Sequence, residues 1–357
     1  MSTRLERLIA ELDGAGLELL LVSDLFNVRY LTGYTGSNGI ALVGRAAAEF
    51  VTDFRYVEQA AEEVDPAFTR HRASLDLLDA VEGLLPAGAL RLGFEDAHVS
   101  VREHARLREL LPERVELIGV EGLVEGLREV KDAEEVARIG AASELADAAF
   151  QALLGEGLIG RTERDLALAL EWKMRERGAA GPSFEPIVAA GAHGALPHAQ
   201  PRERPIAHGE LVVIDWGARL DGYCSDCTRT VAAGEPQAQA HEVYDLVLRA
   251  QLAGLEAVRA GAGGREVDGA GRAVIEAGGH GEEFGHGLGH GVGLDIHESP
   301  RLSQRSDDVL RAGNVVTVEP GVYLPGRFGV RIEDLVVVGA DGPEILTSVS
   351  KDLIVSG

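Results

Sequence analysis

The sequence predicts an α+β fold in two parts, a smaller α/β domain over residues 1–123 and a larger domain over residues 124–357. In the first part, helix-like and strand-like segments alternate along the chain. After that boundary the order changes to two helices followed by two strands, and the same order then occurs a second time. The segment VVIDWG at 212–217 aligns with VTVEPG at 316–321, so we predict an internal pseudo-repeat in the larger domain.

The elements of the smaller domain follow from hydrophobic periodicity. Residues 3–15 are predicted to be an amphipathic helix, because Leu5, Leu8, Ile9 and Leu12 are spaced for one helical face. The remaining elements are strands at 17–24, 39–44 and 49–54, a helix at 55–64, and the strands RLGFED and VELIGV around the helix SVREHARLREL.

The larger domain begins with a long helix at 131–154, whose acidic first turn suits the positive end of the helix dipole. A second helix opens at Thr162, with Asp165 completing a variant capping box. Two strands then surround a turn signal at Asp221–Gly222. The second copy consists of the helices HEVYDLVLRAQLAGLEAVRAG and REVDGAGRAVIEAG, and of strand, turn and strand in NVVTVEPGVYLPGRFGVRIEDLVVVG.

The composition excludes several classes of partner. A formal net charge of −24 argues against nucleic acid and against an anionic membrane surface. The N-terminus lacks the apolar core and cleavage site of a signal peptide, and no segment approaches the roughly 20 apolar residues of a membrane-spanning helix. We therefore expect a cytoplasmic protein.

The two cysteines, Cys224 and Cys227, form a C-x-x-C pair inside a predicted strand. Three residues of extended chain span roughly 10 Å, whereas the Cα atoms of a disulfide are usually less than about 7 Å apart. A four-thiolate zinc site would need a second such pair, which the sequence lacks. We expect two ordinary buried thiols.

Each repeat carries two acidic residues at its strands. Asp215 and Glu319 each follow a β-branched run, and Asp226 and Glu333 lie in the second strand of their pair. If Asp221–Gly222 forms a two-residue turn, Asp215 and Asp226 lie two positions off direct register and on the same face of the hairpin. Two carboxylates held that close repel each other unless a positive charge lies between them.

Three histidines, His286, His290 and His297, occur in FGHGLGHGVGLDIHESPR, where alternating glycines make a stable helix implausible. An extended or looping strand, whose small residues allow close backbone approach to a metal or substrate, fits this segment better. His198, and less strongly His193, lie in a loop before the Asp215 strand. The segment lacks the flanking strand and helix of a dinucleotide-binding fingerprint.

Four carboxylates with imidazole form a mixed donor set for divalent metals. Oxygen donors favour manganese, magnesium or calcium, whereas a histidine also admits cobalt, zinc or iron. Four negative charges would balance two dications, as in two-metal hydrolysis. The alternative is four unrelated strand-end acids on an acidic protein, and their matching positions in both repeats argue against it.

The sequence resembles the pita-bread (creatinase-like) metallopeptidases, in the branch of Xaa-Pro aminopeptidase (aminopeptidase P) and Xaa-Pro dipeptidase (prolidase). The matching blocks are LPHAQP, VVIDWGARLDGYCSDCTRT, FGHGLGHGVGLDIHESPRLS, VVTVEPGVY and VRIEDLVVV. They run from about residue 130 to the end of the sequence, and FNVRYLTGYTGSNG resembles the N-terminal creatinase-like domain of this branch. The resemblance implies a pita-bread catalytic domain with a pseudo-two-fold repeat.

The resemblance also implies roles for individual residues. The metal ligands would be Asp215, Asp226, His290, Glu319 and Glu333, holding two divalent ions, with manganese first and cobalt or zinc as alternatives. Arg331 would support the acids. Glu319 would move the proton of the attacking water, and His198 or His297 would stabilise the oxyanion. The substrate-binding residues would be His198, His286, His297 and Arg301.

We therefore expect a dinuclear exopeptidase that hydrolyses the Xaa-Pro bond of small proline-containing peptides, with aminopeptidase P as the first interpretation. The alternative is a prolidase restricted to dipeptides, in which Arg301 would bind the substrate carboxylate; a role in folding its own loop is equally open. A more remote alternative is a pita-bread binding module without catalysis, which would be expected to lack a ligand. The family suggests a homodimer.

Overall fold

In the computed structural model, which describes residues 3–356, the chain divides into two units, Met1–Arg128 and Glu129–Gly357. The helices of the first unit are α1 (Thr3–Ala15), α2 (Leu25–Thr32), α3 (Val57–Glu63), α4 (Val81–Leu84), α5 (Val101–Leu110) and α6 (Leu123–Arg128). Its strands are β1 (Leu19–Val22), β2 (Gly39–Gly44), β3 (Ala47–Thr52), β4 (Thr69–Arg72), β5 (Leu90–Glu95) and β6 (Val115–Val120). The domain boundary predicted at residue 124 falls inside α6.

The first unit is built on a six-stranded mixed sheet in the order β4-β3-β2-β1-β5-β6. Strand β1 pairs antiparallel with β2 and parallel with β5. All four residues of β1 are buried, as expected for a central strand covered on both faces. The alternation of helices and strands predicted for this part is confirmed.

Helix α2 is an element that sequence periodicity did not identify. Asp24 caps its first turn by accepting a hydrogen bond from the backbone N–H of Phe26, and Gly33 ends it with a φ of 80°. Tyr30 lies in this helix and is buried.

In the second unit the helices are α7 (Ala133–Leu154), α8 (Glu163–Glu176), α9 (Ala238–Ala257) and α10 (Gly264–Ala277). The strands of the first repeat are β7 (Gly181–Pro182), β8 (Ile187–Ala190), β9 (Glu210–Trp216), β10 (Ala218–Leu220), β11 (Tyr223–Cys224) and β12 (Cys227–Ala233). Those that follow α10 are β13 (Gly289–Gly291), β14 (Glu298–Leu302), β15 (Val315–Val318), β16 (Gly321–Leu324), β17 (Phe328–Arg331), β18 (Asp334–Val338), β19 (Pro343–Ile345) and β20 (Val355–Ser356).

The pseudo-repeat is visible as two sheets, each packed against a helix pair. One sheet has the order β20-β12-β9-β8, and the other has the order β14-β13-β15-β18-β19. Helices α7 and α8 share an apolar core with β8, β9 and β12, and α9 and α10 share another with β15 and β18. In the first core, the rings of Phe150 and Trp216 stack at a centroid distance of 4.0 Å.

The first hairpin has the predicted register. Leu220 faces Tyr223, and the intervening Asp221 and Gly222 have φ values of 48° and 85°, as a two-residue turn with positive φ requires. The same register continues into β9 and β12, where Asp215 faces Thr228.

The second copy differs from the prediction of strand, turn and strand. It contains four strands, because Pro320 follows Glu319 and a separate hairpin of β16 and β17 comes before β18. The pairing is nevertheless continuous: Val318 faces Asp334, and Gly321 faces Arg331.

Cys224 and Cys227 are buried free thiols, which confirms the expectation from their spacing. Within residues 3–356, the helices lack the combination of length and apolar composition required to cross a bilayer.

Candidate active site

The acidic residues predicted to converge occupy the ends of paired strands. Asp215 lies on β9 and Asp226 between β11 and β12, whereas Glu319 follows β15 and Glu333 precedes β18. The two halves meet here, since the backbone N–H of Glu333 donates to the carbonyl of Thr228 over 3.1 Å. Asp215, Asp226 and Glu333 each place one carboxylate oxygen within 4.8 Å of the others.

His290 completes this cluster from β13. Its Nε2 lies 3.6 Å from Asp226 Oδ2 and 3.4 Å from Glu319 Oε1. Its Nδ1 lies 3.0 Å from the carbonyl oxygen of Gly291. Because a carbonyl only accepts, Nδ1 carries the proton, and the Nε2 lone pair faces the acids.

Steric constraints explain why glycine flanks His290 on both sides. A Cβ on Gly289 would lie 2.0 Å from the carbonyl oxygen of Thr317, and a Cβ on Gly291 would lie 2.2 Å from that of Ser299. Only glycine lets β13 pass this close to its neighbours. As predicted, the segment is not helical: it is extended at Gly289–Gly291 and forms loops on either side.

Burial dominates the electrostatics of the cluster. Burial, followed by the neighbouring carboxylates, raises the pKa values of Asp226 and Glu333 well above their ordinary range. Burial also raises the pKa of Glu319, to about 7, and lowers the pKa of His290 to about 3. The imidazole is therefore neutral, as a metal ligand must be.

Two carboxylate oxygens of the cluster, Asp215 Oδ1 and Glu333 Oε1, are buried without a hydrogen-bond partner among the described residues. Buried acceptors are normally satisfied, so this pair calls for a donor or a cation at the centre of the cluster. Four carboxylates and one neutral imidazole nitrogen form a donor set that suits divalent metals. The residues present therefore fit a metal centre.

Arg331 supports the acids from behind. Its Nη2 lies 2.5 Å from Asp215 Oδ2, and its Nε donates over 3.0 Å to the hydroxyl of Thr228. That hydroxyl in turn donates to Glu333 Oε2 over 2.7 Å. One buried guanidinium thus holds an acid from each repeat, directly or through one hydroxyl.

Sequence reasoning missed three hydroxyl partners of the site: Thr228, Thr317 and Tyr323. Tyr323 accepts a hydrogen bond from Arg331 Nη1 and lies 2.9 Å from His286 Nε2. Since His286 Nδ1 lies 2.8 Å from the Gly287 carbonyl, both ring nitrogens of His286 are engaged within the protein. Its predicted contact with substrate stays a prediction.

A cleft of about 490 Å³ opens over the cluster. Ten of the eleven candidates selected from the sequence line it: His198, Asp215, Asp226, His286, His290, His297, Arg301, Glu319, Arg331 and Glu333. Apolar surface comes from Phe184, Pro186, Ile187, Pro197 and Pro201. The rings of His297 and His290 lie 4.6 Å apart, and Arg301 faces His290 across the β13–β14 pair. The remaining candidate, His193, is buried and contacts Glu163 instead.

Comparison with known proteins places this geometry in context. A model described as metallopeptidase family M24 matches residues 137–340, and one described as the creatinase/prolidase N-terminal domain matches residues 4–130. The chain is 41% identical to the solved structure of a Xaa-Pro dipeptidase from Bacillus anthracis, with a TM-score of 0.94 and 99% of each chain covered.

Of two further relatives, one is named an aminopeptidase and the other a dipeptidase. The structure of X-Pro aminopeptidase from Thermotoga maritima is 37% identical, with a TM-score of 0.90 and 99% of each chain covered. A Xaa-Pro dipeptidase from Pyrococcus horikoshii is 35% identical over 359 residues, which cover 99% of both proteins. The neighbours therefore share both domains with this chain and cover it from end to end.

Proposed function

This chain belongs to metallopeptidase family M24, and from that premise we propose that it is a metal-dependent Xaa-Pro dipeptidase. The observation that carries the proposal is a buried acid–imidazole cluster at the base of a partly apolar cleft, in a chain whose full-length relatives include proteins named Xaa-Pro dipeptidase. Sequence reasoning ranked aminopeptidase P first, whereas these relatives favour its alternative.

Two divalent ions would be held by Asp215, Asp226, His290, Glu319 and Glu333. Support comes from the two unsatisfied carboxylate oxygens and from the charge of four carboxylates, which two dications would balance. When bound, the metal would polarise the scissile carbonyl and lower the pKa of water. Manganese suits the oxygen-rich set best, with cobalt or zinc as alternatives.

The side chains around the cluster would manage protons and the developing charge. Glu319, at the base of the cleft with its Oε1 3.4 Å from His290 Nε2, would accept a proton from the attacking water and return it to the leaving proline nitrogen. Burial lowers the pKa of His297, so the ring is neutral and can donate one N–H to the tetrahedral oxygen. His198 on the same cleft would act in the same way.

Arg301 is the proposed partner of the substrate carboxylate. Its position opposite His290 on β14 brings a guanidinium into the cleft beside the cluster. A free carboxylate directly after proline exists in a dipeptide but is one residue further away in a tripeptide. Recognition by Arg301 would therefore restrict the enzyme to dipeptides.

The test is to compare kcat/KM for Xaa-Pro and Xaa-Pro-Yaa substrates in the metal-loaded protein. We expect the dipeptide to be preferred at least ~10-fold, and Arg301→Met to raise KM for the dipeptide with little effect on the tripeptide. Equal or faster cleavage of the tripeptide would return the assignment to aminopeptidase P.

The homodimer and the cytoplasmic location stay proposals from the sequence. Analytical ultracentrifugation of the full chain tests the first, and a sedimentation coefficient that fits one chain would contradict it.

A further inference from the structure

One wall of the cleft is a segment without regular secondary structure over most of its length, residues 190–202, which we call the His198 segment. Pro197, His198, Ala199, Gln200 and Pro201 line the cleft. The side chain of His198 is exposed there, whereas Ala190 at the start of the segment is buried. A catalytic imidazole on irregular backbone needs an anchor elsewhere in the protein if its position is to be defined.

The anchor is a carboxylate that the mechanism does not use. Glu163, at the first turn of α8, is fully buried. Its Oε1 accepts from the backbone N–H of Ala190 over 2.8 Å, and its Oε2 accepts from the backbone N–H of Arg202 over 2.9 Å. One side chain therefore binds both ends of the His198 segment.

The third donor to this carboxylate lies within the segment. His193 Nδ1 is 2.8 Å from Glu163 Oε2, and both side chains are almost inaccessible to solvent, at 5% and 1%. An ionised carboxylate only accepts, so Nδ1 donates. A buried carboxylate is costly unless it is hydrogen-bonded, and here the segment supplies three donors to it.

The middle of the segment is tethered to the acid cluster. The carbonyl oxygen of Pro197 accepts from Arg331 Nη1 over 3.3 Å. His198 therefore directly follows a residue held by the guanidinium that contacts Asp215, while Glu163 fixes the segment at both ends. Loss of the Glu163 anchor would leave the Pro197 contact as the tether nearest to His198.

We propose that Glu163 and His193 form a positioning pair that holds His198 where it can meet the substrate. Neither residue would touch the substrate or the metal ligands; both would act through His198. The part of this proposal that concerns catalysis rests on the proposed function, because it presumes that His198 meets a peptide in the cleft. The anchoring of the segment does not depend on that presumption.

The first experiment tests anchoring by hydrogen–deuterium exchange of the full-length, metal-loaded protein. In Glu163→Gln an amide nitrogen replaces one of the two acceptor oxygens, and in His193→Phe the imidazole donor is lost. We expect peptides covering 190–202 to exchange at least ~10-fold faster in both variants, with peptides covering β9 and β15 unchanged. Unchanged exchange over 190–202 would overturn the proposal, whether or not the protein cleaves peptides.

The second experiment is a double-mutant cycle on kcat/KM for a Xaa-Pro dipeptide. His193→Phe should lower kcat/KM about 10-fold in the parent but less than ~2-fold in a His198→Ala background. His193→Asn, whose side-chain amide can place a donor near the Nδ1 position, should stay within ~2-fold of the parent. Bound metal per chain should be equal in all variants.

The outcomes separate the two hypotheses. An equal loss of activity in both backgrounds, or a loss of bound metal, would show that the pair acts on the fold or on the metal site, and would overturn the positioning role. A parent protein that cleaves no Xaa-Pro peptide would overturn the proposed function instead, and the exchange experiment would still decide whether Glu163 anchors the segment.

Discussion

The properties of Glu319 are set by its position after a strand, by its contacts with Thr317 and His290, and by burial. It follows a buried strand, its Oε1 accepts from the hydroxyl of Thr317 over 3.1 Å, and the same oxygen lies 3.4 Å from His290 Nε2. In the metal-free site, burial raises its pKa to about 7. The proposed proton transfer by Glu319 depends on this buried position beside the other acids.

Replacement of Glu319 by Gln should lower kcat by about 10²–10⁴-fold, because the amide keeps the size of the side chain but cannot accept the proton. Thermal unfolding of the variant should remain cooperative. Glu185→Gln makes the same change at an exposed residue that lines the same cleft and should keep nearly full activity. Near-normal turnover by Glu319→Gln would remove this residue from the mechanism.

Metal binding should release protons and weaken as the pH falls. In the metal-free site the pKa of Glu319 is near 7, and those of Asp226 and Glu333 lie well above their ordinary range. A cation must displace these protons, so affinity should rise from about pH 6 to about pH 8. Calorimetric titration in two buffers of different ionisation enthalpy counts the protons released; a count of zero at about pH 6 would contradict the prediction.

At this scale the sequence predicted the charged groups of the site well and their neutral partners poorly. The acids that it selected line the cleft because each stands at a strand end whose position the repeat defines, and His198 reaches the same cleft from an irregular segment. Thr228, Thr317 and Tyr323 carry no such signal. Hydroxyls are common in strands, and only the fold shows which of them meet an acid or an imidazole.

The loop before β14 depends on a buried ion pair. Lys131, one of only three lysines in the chain, places its Nζ 3.0 Å from Glu298 Oε2, and the side chains are 2% and 7% exposed. The other oxygen, Oε1, accepts from the backbone N–H of Asp295 over 3.0 Å. Gly293 leaves room for this carboxylate, since a Cβ there would lie 2.5 Å from it. The arrangement fixes the loop that carries His297.

Lys131→Met should destabilise the second unit by about 3–5 kcal/mol, because Glu298 would stay buried without its ammonium. Adding Glu298→Gln should recover part of the loss. Arg265→Met removes the exposed pair with Asp307 and should change stability very little. Urea unfolding followed by tryptophan fluorescence would measure all three, and equal effects for Lys131→Met and Arg265→Met would contradict the prediction.

Local elements were predictable where periodicity or a turn signal is strong, as in α1, α7 and the Asp221–Gly222 hairpin. Helix α2 was missed because it is eight residues long and its hydrophobic pattern is short. The β16–β17 hairpin was missed because the pattern of one long strand pair hides the break at Pro320. Pairs such as Lys131 and Glu298, which are 167 positions apart, are set by tertiary structure alone.

On the scale of the whole catalytic unit, the cluster belongs to both repeats. Asp215 and Asp226 come from the first repeat, Glu319 and Glu333 from the second, and Arg331 contacts both sides of the junction. Without a cation, two buried acids, Asp226 and Glu333, and two partly buried acids, Asp215 and Glu319, face one another. The fold of the unit and the occupancy of the site are therefore coupled.

Removal of metal by a chelator should abolish activity and lower the unfolding temperature, and restored metal should recover both. At a free metal concentration of one hundred Kd, binding contributes about 2.7 kcal/mol per site. A Tm that does not respond to chelation in protein that contained metal would contradict the prediction.

The effect of chelation should also grow with pH. Folding raises the pKa of Glu319 in the metal-free protein, so protonation of this residue stabilises the folded state. This contribution is fully present below about pH 4.5 and is lost as the pH rises through about 7. His290 contributes to folding stability with the opposite pH dependence, because its pKa is lowered in the folded state. Its contribution is present above about pH 6.5 and is lost as the pH falls toward 3. The Tm difference between metal-loaded and metal-free protein should therefore be larger at about pH 8 than at about pH 6.

The global architecture was predictable because it repeats. Two copies of helix, helix, strand and strand, with aligned acids, define a doubled scaffold before any contact is known, and membership of family M24 confirms the resemblance. Substrate length was not predictable in the same way. It depends on how a few side chains such as Arg301 are placed in the cleft, which the strand pattern does not encode.

The distribution of the acids over both repeats has a consequence for biosynthesis. Asp215 and Asp226 are translated about a hundred codons before Glu333, and Arg229, which donates to the carbonyl oxygens of Val349 and Glu333, links the later strands to the earlier ones. No nascent chain that stops before these strands can assemble the full ligand set. If these residues hold metal as proposed, cofactor capture would follow translation of the second repeat.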